Sequence, residues 1–278
     1  MKNVLETGLR LGEAGSAALE KTGALAGALE RFDWFYTGAE FCENLLQTPA
    51  WHEKEALFYL GKGAKVCFLT PPLSEKGLRV LRPVFRRLAA LRKKHPRAAK
   101  GIEVTVNDLG ALELARETGL GLALNAGRLL YDNIFFVTRA RLTVLNGGAV
   151  KLFAGLGVRR FELSTTGSTL ANNFGAAKAM GFRPDQLSLT LHYPYLNMTS
   201  ARTCVSGMPD TGPEDSADGI RCKRECGICS LELEHPAVNE KLYVKGNTVF
   251  LKFPQKFYSR PESLLNRRIN RLVYSPFL

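Results

Sequence analysis

Apolar and polar residues alternate along the chain in two rhythms, one of strands and one of helices. Short runs with strand propensity occur at Phe32–Thr37, Lys65–Thr70, Ile102–Val106, Gly121–Leu124, Arg160–Ser164 and Leu187–His192. Helix-like spacing fills the gaps at residues 75–95, Gly110–Thr118, Gly148–Leu156 and Leu170–Met180. The 75–95 segment has the clearest pattern. Leu81, Val84, Leu88 and Leu91 form its apolar stripe, and Arg79, Arg82, Arg86, Arg87, Arg92, Lys93 and Lys94 occupy the rest. Pro83 marks a kink or a late start. Repeated β–α units of this size predict a parallel sheet, open or closed into a barrel. Residues 1–31 read as a helical extension ahead of a barrel domain at 32–278, although Gly8, Gly12, Gly15, Gly23 and Gly27 dilute the helical signal. Near the other end, Lys241–Lys245 and Thr248–Phe253 flank Gly246-Asn247, which predicts a hairpin.

At 278 residues the chain is long enough for one barrel-sized core. A 45% hydrophobic and 23% charged composition is that of an ordinary globular protein. The net charge of +12 favours anionic partners, among them RNA, an anionic small substrate or an acidic lipid surface. The basic 75–95 segment reads as a solvated outer helix face or as a patch that tracks phosphates. Glu6, Glu13 and Glu20 interrupt the N-terminal leucines, so neither a signal-peptide core nor a transmembrane segment is read there. The expected compartment is the cytoplasm, with reduced thiols.

Chemistry concentrates at Thr199–Leu233, which holds Cys204, Cys222, Cys226 and Cys229. The intervening Val205–Arg221 is rich in Gly, Pro, Ser, Asp and Thr, the composition of a loop. In a reducing compartment such thiols suit a metal or an iron–sulfur cluster better than disulfides. Cys42 follows the first predicted strand and Cys204 follows the strand ending near His192. Strand-to-helix connections of parallel α/β folds open on one face, so Cys42 is expected to join the late cluster. Three readings follow. One is a cubane cluster on Cys42, Cys204 and two of the last three thiols. A second is a zinc site on Cys204, Cys222, Cys226 and Cys229. The third is a radical S-adenosylmethionine triplet at Cys222-x-x-x-Cys226-x-x-Cys229. Cys67, inside a strand, reads as a buried structural thiol. His192 ends a strand on the expected site face and is either catalytic or a structural hydrogen-bonding group. Asp108 reads as a helix N-cap. His52-Glu53 lacks the second His of a zinc-protease helix, since position 56 is Ala, and there is no Gly-x-Ser-x-Gly elbow.

These residues resemble the peptidase U32 family. Val104-Thr-Val-Asn-Asp-Leu-Gly-Ala-Leu112, followed by Ala126-Gly-Arg-Leu-Leu130, is similar to that family's barrel signature. Tyr36-Thr-Gly38-Ala-Glu-Phe-Cys42, Ser200-Ala-Arg-Thr-Cys204 and Cys222-x-x-x-Cys226 resemble the small members that support oxygen-independent ubiquinone hydroxylation. The likeness spans about residues 32–255. The loop before Cys222 is longer than in that pattern, and Cys229 is an additional thiol. The resemblance implies a (β/α) TIM-like barrel, incomplete or elaborated, with the Cys-rich loop 199–233 on its C-terminal face. It also implies a [4Fe–4S] cluster on Cys42, Cys204, Cys222 and Cys226, with Cys229 as the substitute ligand. The implied chemistry is hydroxylation of a ring or nucleobase, as in ubiquinone biosynthesis or RNA modification, with a small anionic hydroxyl donor such as prephenate. Arg128, His192 and Arg202 are the candidate catalytic side chains. The alternatives are an electron-relay subunit beside a paralogous U32 chain and, third, a peptidase.

Overall fold

Eight parallel strands close into a barrel. The computed structural model describes residues 5–132, 136–138, 141–144, 147–164, 170–172, 188–202, 204, 206–207, 222–228, 230–236, 238–252 and 269–276. The strands are, in chain order, β1 (Glu6–Gly12), β2 (Trp34–Gly38), β3 (Lys65–Leu69), β4 (Ile102–Val106), β5 (Ala123–Ala126), β6 (Phe136–Thr138), β7 (Arg141–Val144), β8 (Val158–Ser164), β9 (Leu170–Asn172) and β10 (Ser188–Tyr193). They continue with β11 (Tyr195–Ser200), β12 (Leu231–His235), β13 (Val238–Lys245), β14 (Thr248–Lys252) and β15 (Ile269–Tyr274). The barrel runs β1-β2-β3-β4-β5-β8-β10-β15 and closes through parallel pairing of β15 with β1. Helices α1 (Ser16–Thr22), α2 (Leu25–Arg31), α3 (Pro49–Gly61), α4 (Glu75–Lys94), α5 (Leu109–Glu117), α6 (Arg128–Asp132) and α7 (Gly147–Gly155) lie in the connections. This is a TIM-type (β/α) barrel, closed and elaborated.

Two expectations need correction. Residues 1–31 are not one helix, because Glu6–Gly12 is a barrel strand and only α1 and α2 are helical. The segment Glu6-Thr-Gly-Leu-Arg-Leu-Gly12 has period two, with Glu6, Gly8 and Arg10 on one face and Leu9 and Leu11 on the other. Pairing with both β2 and β15 stabilises that period over the helical one. Leu170–Asn172 pairs in parallel with β7 as strand β9 rather than opening a helix; residues 173–180 of that expectation lie outside the described residues.

Strand alternation sorts the core into two parts. Outward-facing Phe35, Val66, Phe68, Ile102, Val104, Phe161, Leu163, Leu189 and Leu191 meet the helices in the main apolar layer. Phe35 stacks on Tyr59 of α3 at 4.5 Å. Helix α4 buries Leu81, Val84, Phe85, Leu88 and Leu91 in this layer, each contributing about 1.5–3 kcal/mol if fully removed from water. Ser74 caps α4, Glu75 lies in its first turn and Arg92, Lys93 and Lys94 in its last, an order that suits the helix dipole. Pro83 sits inside the helix without ending it. Arg82 and Arg87 of the basic face pair with Glu117 and Glu53.

The inward face is largely polar. At the bottom Arg271 bonds Glu6 (3.0 and 2.9 Å), Glu103 (2.7 and 3.1 Å) and the Tyr36 hydroxyl (2.9 Å), and stacks 3.7 Å above the Trp34 ring. In the middle Glu162 accepts from Thr105 Oγ1 at 2.8 Å and from His192 Nε2 at 3.0 Å. Near the top Glu40 holds Arg128 and Arg10. Such charges are tolerable in the lumen because each is paired and multiply hydrogen-bonded.

Two further sheets elaborate the barrel. One is β6-β7-β9. The other, β11-β14-β13-β12, is antiparallel and is inserted between β10 and β15, after the seventh barrel strand. It contains the expected hairpin, β13–β14, with Gly246 at φ 61 in the turn. No helix among the described residues is long and apolar enough to cross a membrane.

Candidate thiol site at the C-terminal face

The site begins with the chain leaving β2. Gly38 has φ 101, and a Cβ there would lie 2.8 Å from the Leu69 carbonyl. Only glycine passes this close to β3 with that backbone. The next residues turn over the barrel mouth and deliver Glu40, Phe41 and Cys42.

Glu40 is fully buried and anchors this turn. Its Oε1 and Oε2 accept from Arg128 Nε and Nη2, both at 2.7 Å, and Oε2 also accepts from Arg10 Nε at 2.6 Å. Burial alone would raise the Glu40 carboxyl, but the two guanidiniums outweigh it and hold it far below the usual carboxylate range. Both guanidiniums also lie near the Phe41 ring, at 5.1 Å for Arg128 and 5.4 Å for Arg10. Arg128 Nη1 reaches the Tyr195 carbonyl at 3.3 Å, linking this layer to the inserted sheet.

That sheet carries the other thiols. Cys204 lies beyond β11, and Cys222 and Cys226 precede β12. Cys204 Sγ accepts from Gly207 N and Cys222 Sγ from Arg224 N, both at 3.3 Å. Cys226 packs on Gly246 of the hairpin turn, whose ideal Cβ position is 3.5 Å from its Sγ. Asn247 Nδ2 donates to the carbonyls of Phe41 (2.8 Å) and Ala201 (2.7 Å). One amide thus joins the Cys42 turn, the Cys204 segment and the hairpin beside Cys226.

Cys42, Cys204, Cys222 and Cys226 are electrostatic neighbours. Burial pushes the Cys42 thiol up to about 11, the Asn44 amide opposes this, and the other three thiolates push it further up. Cys226 is raised by burial and then by Cys204. No three His, Cys, Asp or Glu groups among the described residues are drawn together tightly enough for a single metal ion. All four are free, as is Cys67, which is buried in the lumen against Thr105 Oγ1 at 3.1 Å. Cys229 lies outside the described residues.

The other expected residues fall in different places. Arg128 is buried and taken up by Glu40. His192 is fully buried in the lumen, its Nε2–H given to Glu162 and its Nδ1 without a partner among the described residues. Burial first, and the Arg128 charge second, lower its pKa, against Glu162 and Glu40, which raise it. Neither side chain reaches the two cavities beside Cys42. Arg202 is exposed and lines the larger one. Asp108 caps α5 by accepting from Ala111 N at 2.8 Å, as expected. Arg10, Glu40 and Asn247 escaped the sequence reading. Period-two alternation in β1, with Glu6 and Arg10 on one face, was the signal for the first.

Two cavities include Cys42 in their walls. One, of about 270 Å³, is lined by Arg10, Leu11, Glu40, Phe41, Cys42 and Cys226 among others. The other, of about 460 Å³, shares Phe41, Cys42 and Asn247 and runs past Ser74 to Arg202.

No family model matches the sequence, and no curated protein matches it. Solved structures similar to the chain include a family GH18 chitinase from Cycas revoluta in complex with allosamidin (11% identity, TM-score 0.44, 97% of this chain and 94% of that one). They also include the spore cortex-lytic enzyme SleL from Bacillus cereus (9% identity, TM-score 0.46, 99% of this chain and 71% of that one). A third is a GH10 endoxylanase from a sugarcane soil metagenome (11% identity, TM-score 0.46, 99% of this chain and 86% of that one).

Proposed function

We propose that this chain is an iron–sulfur protein of the peptidase U32 type, with a [4Fe–4S] cluster on Cys42, Cys204, Cys222 and Cys226. The observation that carries the reading is that Cys42, from the turn after β2, lines one cavity with Cys226 of the insertion after β10, and Cys204 and Cys222 act electrostatically on the same thiol. Four thiolates are the usual ligand complement of such a cluster. Free thiols suit a reducing compartment, the cytoplasm.

The proposed activity is hydroxylation of a ring or nucleobase without molecular oxygen. The exchange R–H + R′–OH → R–OH + R′–H balances with a small organic anion as the hydroxyl donor. The cluster would supply electron transfer or Lewis acidity between the two substrates. The chain's own residues hold the Cys42 turn through Glu40, present two cavities that both include Cys42 in their walls, and line the larger one with Arg202.

The burial of Arg128 and His192 away from both cavities favours a second reading. In it the chain is an electron-relay subunit, and a paralogous U32 chain supplies the catalytic side chains. Copurification with such a chain, and activity only in its presence, distinguishes the two.

The test is iron, sulfide and EPR analysis of protein purified without oxygen, alongside Cys→Ala variants at 42, 204, 222, 226 and 229. About four irons per chain are expected. Iron should be lost in the first four variants and retained in Cys229→Ala. Zinc without iron, indifferent to Cys42→Ala, would sink the reading.

A further inference from the structure

The end of the barrel opposite the thiols is strongly basic. No Asp or Glu occurs from Lys76 to Ile102, and Lys93, Lys94, Arg97 and Lys100 fall late in that stretch. The two adjacent lysines are in the last turn of α4, and the chain passes from there directly into a 3-10 turn at Ala98–Gly101. His95 N donates to the Leu91 carbonyl at 2.8 Å and Ala99 N to that of His95 at 2.9 Å, which fixes the passage. Lys62 follows α3 and Lys65 opens β3. Val66 pairs with Ile102, and an ideal Cβ on Gly101 would lie 3.0 Å from Leu60 and 3.6 Å from Lys65. The two connections therefore lie side by side at the starts of β3 and β4, and all six cations are exposed.

Their charge is largely uncompensated. Lys65 pairs with Glu6 at 3.3 Å, and the other five have no carboxylate partner among the described residues. On the neighbouring connection into β2, Asp33 is taken up by Thr7, and the charges of Glu30 and Arg31 cancel. The helix dipole favours Lys93 and Lys94 in a last turn. It does not account for Lys65, Arg97 and Lys100, which lie outside α3 and α4. Catalysis does not account for them either, because barrels of this type carry their active sites at the other face.

The composition of the face selects its partner. Five of the six cations are lysines. Their compact, hydrated charges suit a smeared layer of anionic headgroups, whereas nucleic-acid sites favour the arginine fork and stacked rings. Residues 62–65 and 93–101 contain no Phe, Tyr or Trp, and they expose no large apolar side chain. Contact through them is therefore electrostatic, without insertion. We infer that this face docks the chain on an anionic lipid surface, with the thiol end turned away from the bilayer. The inference does not depend on whether the thiols hold a cluster.

The experiment is flotation of the full chain, purified without oxygen, with vesicles of phosphatidylcholine alone or with about 30% phosphatidylglycerol, at about 0.1 and about 0.5 M NaCl. Wild type is compared with Lys93→Glu/Lys94→Glu/Lys100→Glu and with Lys76→Glu/Arg79→Glu/Arg86→Glu, which makes the same charge change at exposed positions outside this face. Lys62→Gln/Arg97→Gln/Lys100→Gln changes nothing inside α3 or α4 and tests the face even if the first variant fails to fold. Each lysine beside an anionic bilayer contributes about fivefold to binding. Wild type should bind the anionic vesicles at least about tenfold more tightly than the neutral ones, and the higher salt should release it. The first and third variants should lose at least about tenfold, and the second less than about threefold. Equal binding to the two vesicles, or to neither, overturns the inference, as do equal losses in the first two variants. So does tighter binding of a single-stranded RNA oligonucleotide than of the anionic vesicles, lost in the first variant, which would make the face a nucleic-acid site.

Discussion

Asn247 donates a hydrogen bond of 2.8 Å to the carbonyl of Phe41, a residue 206 positions away in sequence. The second amide hydrogen goes to Ala201, and the amide oxygen accepts from Thr248 Oγ1 at 3.2 Å. Both hydrogens are therefore committed to segments that lead into cysteines. Asn247→Asp keeps the shape but replaces two donors with an acceptor facing two carbonyls. A loss of about 1–3 kcal/mol in urea unfolding is expected, with faster modification of Cys42 by a thiol reagent. Unchanged thiol kinetics would show that the bracket does not hold the Cys42 turn.

Glu40 is the second support of that turn. Glu40→Gln removes the carboxylate that Arg10 and Arg128 share, and the Arg128 side chain is only 2% exposed. The cost should be about 3–5 kcal/mol, the range for breaking one side of a buried ion pair. Arg202→Ala, at an exposed position, should stay within about 0.5 kcal/mol of wild type. Comparable losses in the two variants would remove Glu40 from its anchoring role.

Gly38 admits no side chain. Gly38→Ala must hold φ near 101 and bring Cβ to 2.8 Å from the Leu69 carbonyl. A loss of about 1–3 kcal/mol is expected, seen as a lower thermal midpoint. A neutral result would mean that β2 and β3 separate more easily than their pairing suggests.

Acid should destabilise the fold in two stages. Burial lowers the His52 pKa from 6.5 to about 4, although its hydrogen bond to the Thr48 carbonyl opposes the shift. Glu6 would be raised by burial, but Arg271, Trp34 and Arg160 outweigh this and hold it at about 2, down from 4.5. Both folded values lie below the unfolded ones, so the unfolded chain binds more protons and stability falls as pH falls. The His52 contribution is lost from about pH 6.5 to 4 and the Glu6 contribution from about 4.5 to 2. Urea midpoints measured across this range should lose part of their slope in the upper window for His52→Phe and in the lower one for Glu6→Gln, with His192 and Glu40 supplying part of what remains. An upper slope unchanged in His52→Phe would assign it to another group.

The sequence by itself determined the repeating β–α order, the 75–95 helix, the Asp108 cap, the buried Cys67 and the Gly246-Asn247 hairpin. Each of these rests on local spacing, on turn chemistry or on the burial habit of one residue type. It also pointed Cys42 toward the late cysteines, since every strand of a parallel barrel ends on the same face. Only the tertiary structure decided that Glu6–Gly12 is a strand, because its period-two pattern is stabilised by β2 and by β15 from the far end of the chain. Arg128 and His192 were legible as residues but not as locations. Each ends within reach of a buried carboxylate, Glu40 or Glu162, carried by a different strand or turn. Arg10, Glu40 and Asn247 were hidden for the same reason. Their roles consist of hydrogen bonds between segments distant in sequence, and only barrel closure brings those segments together.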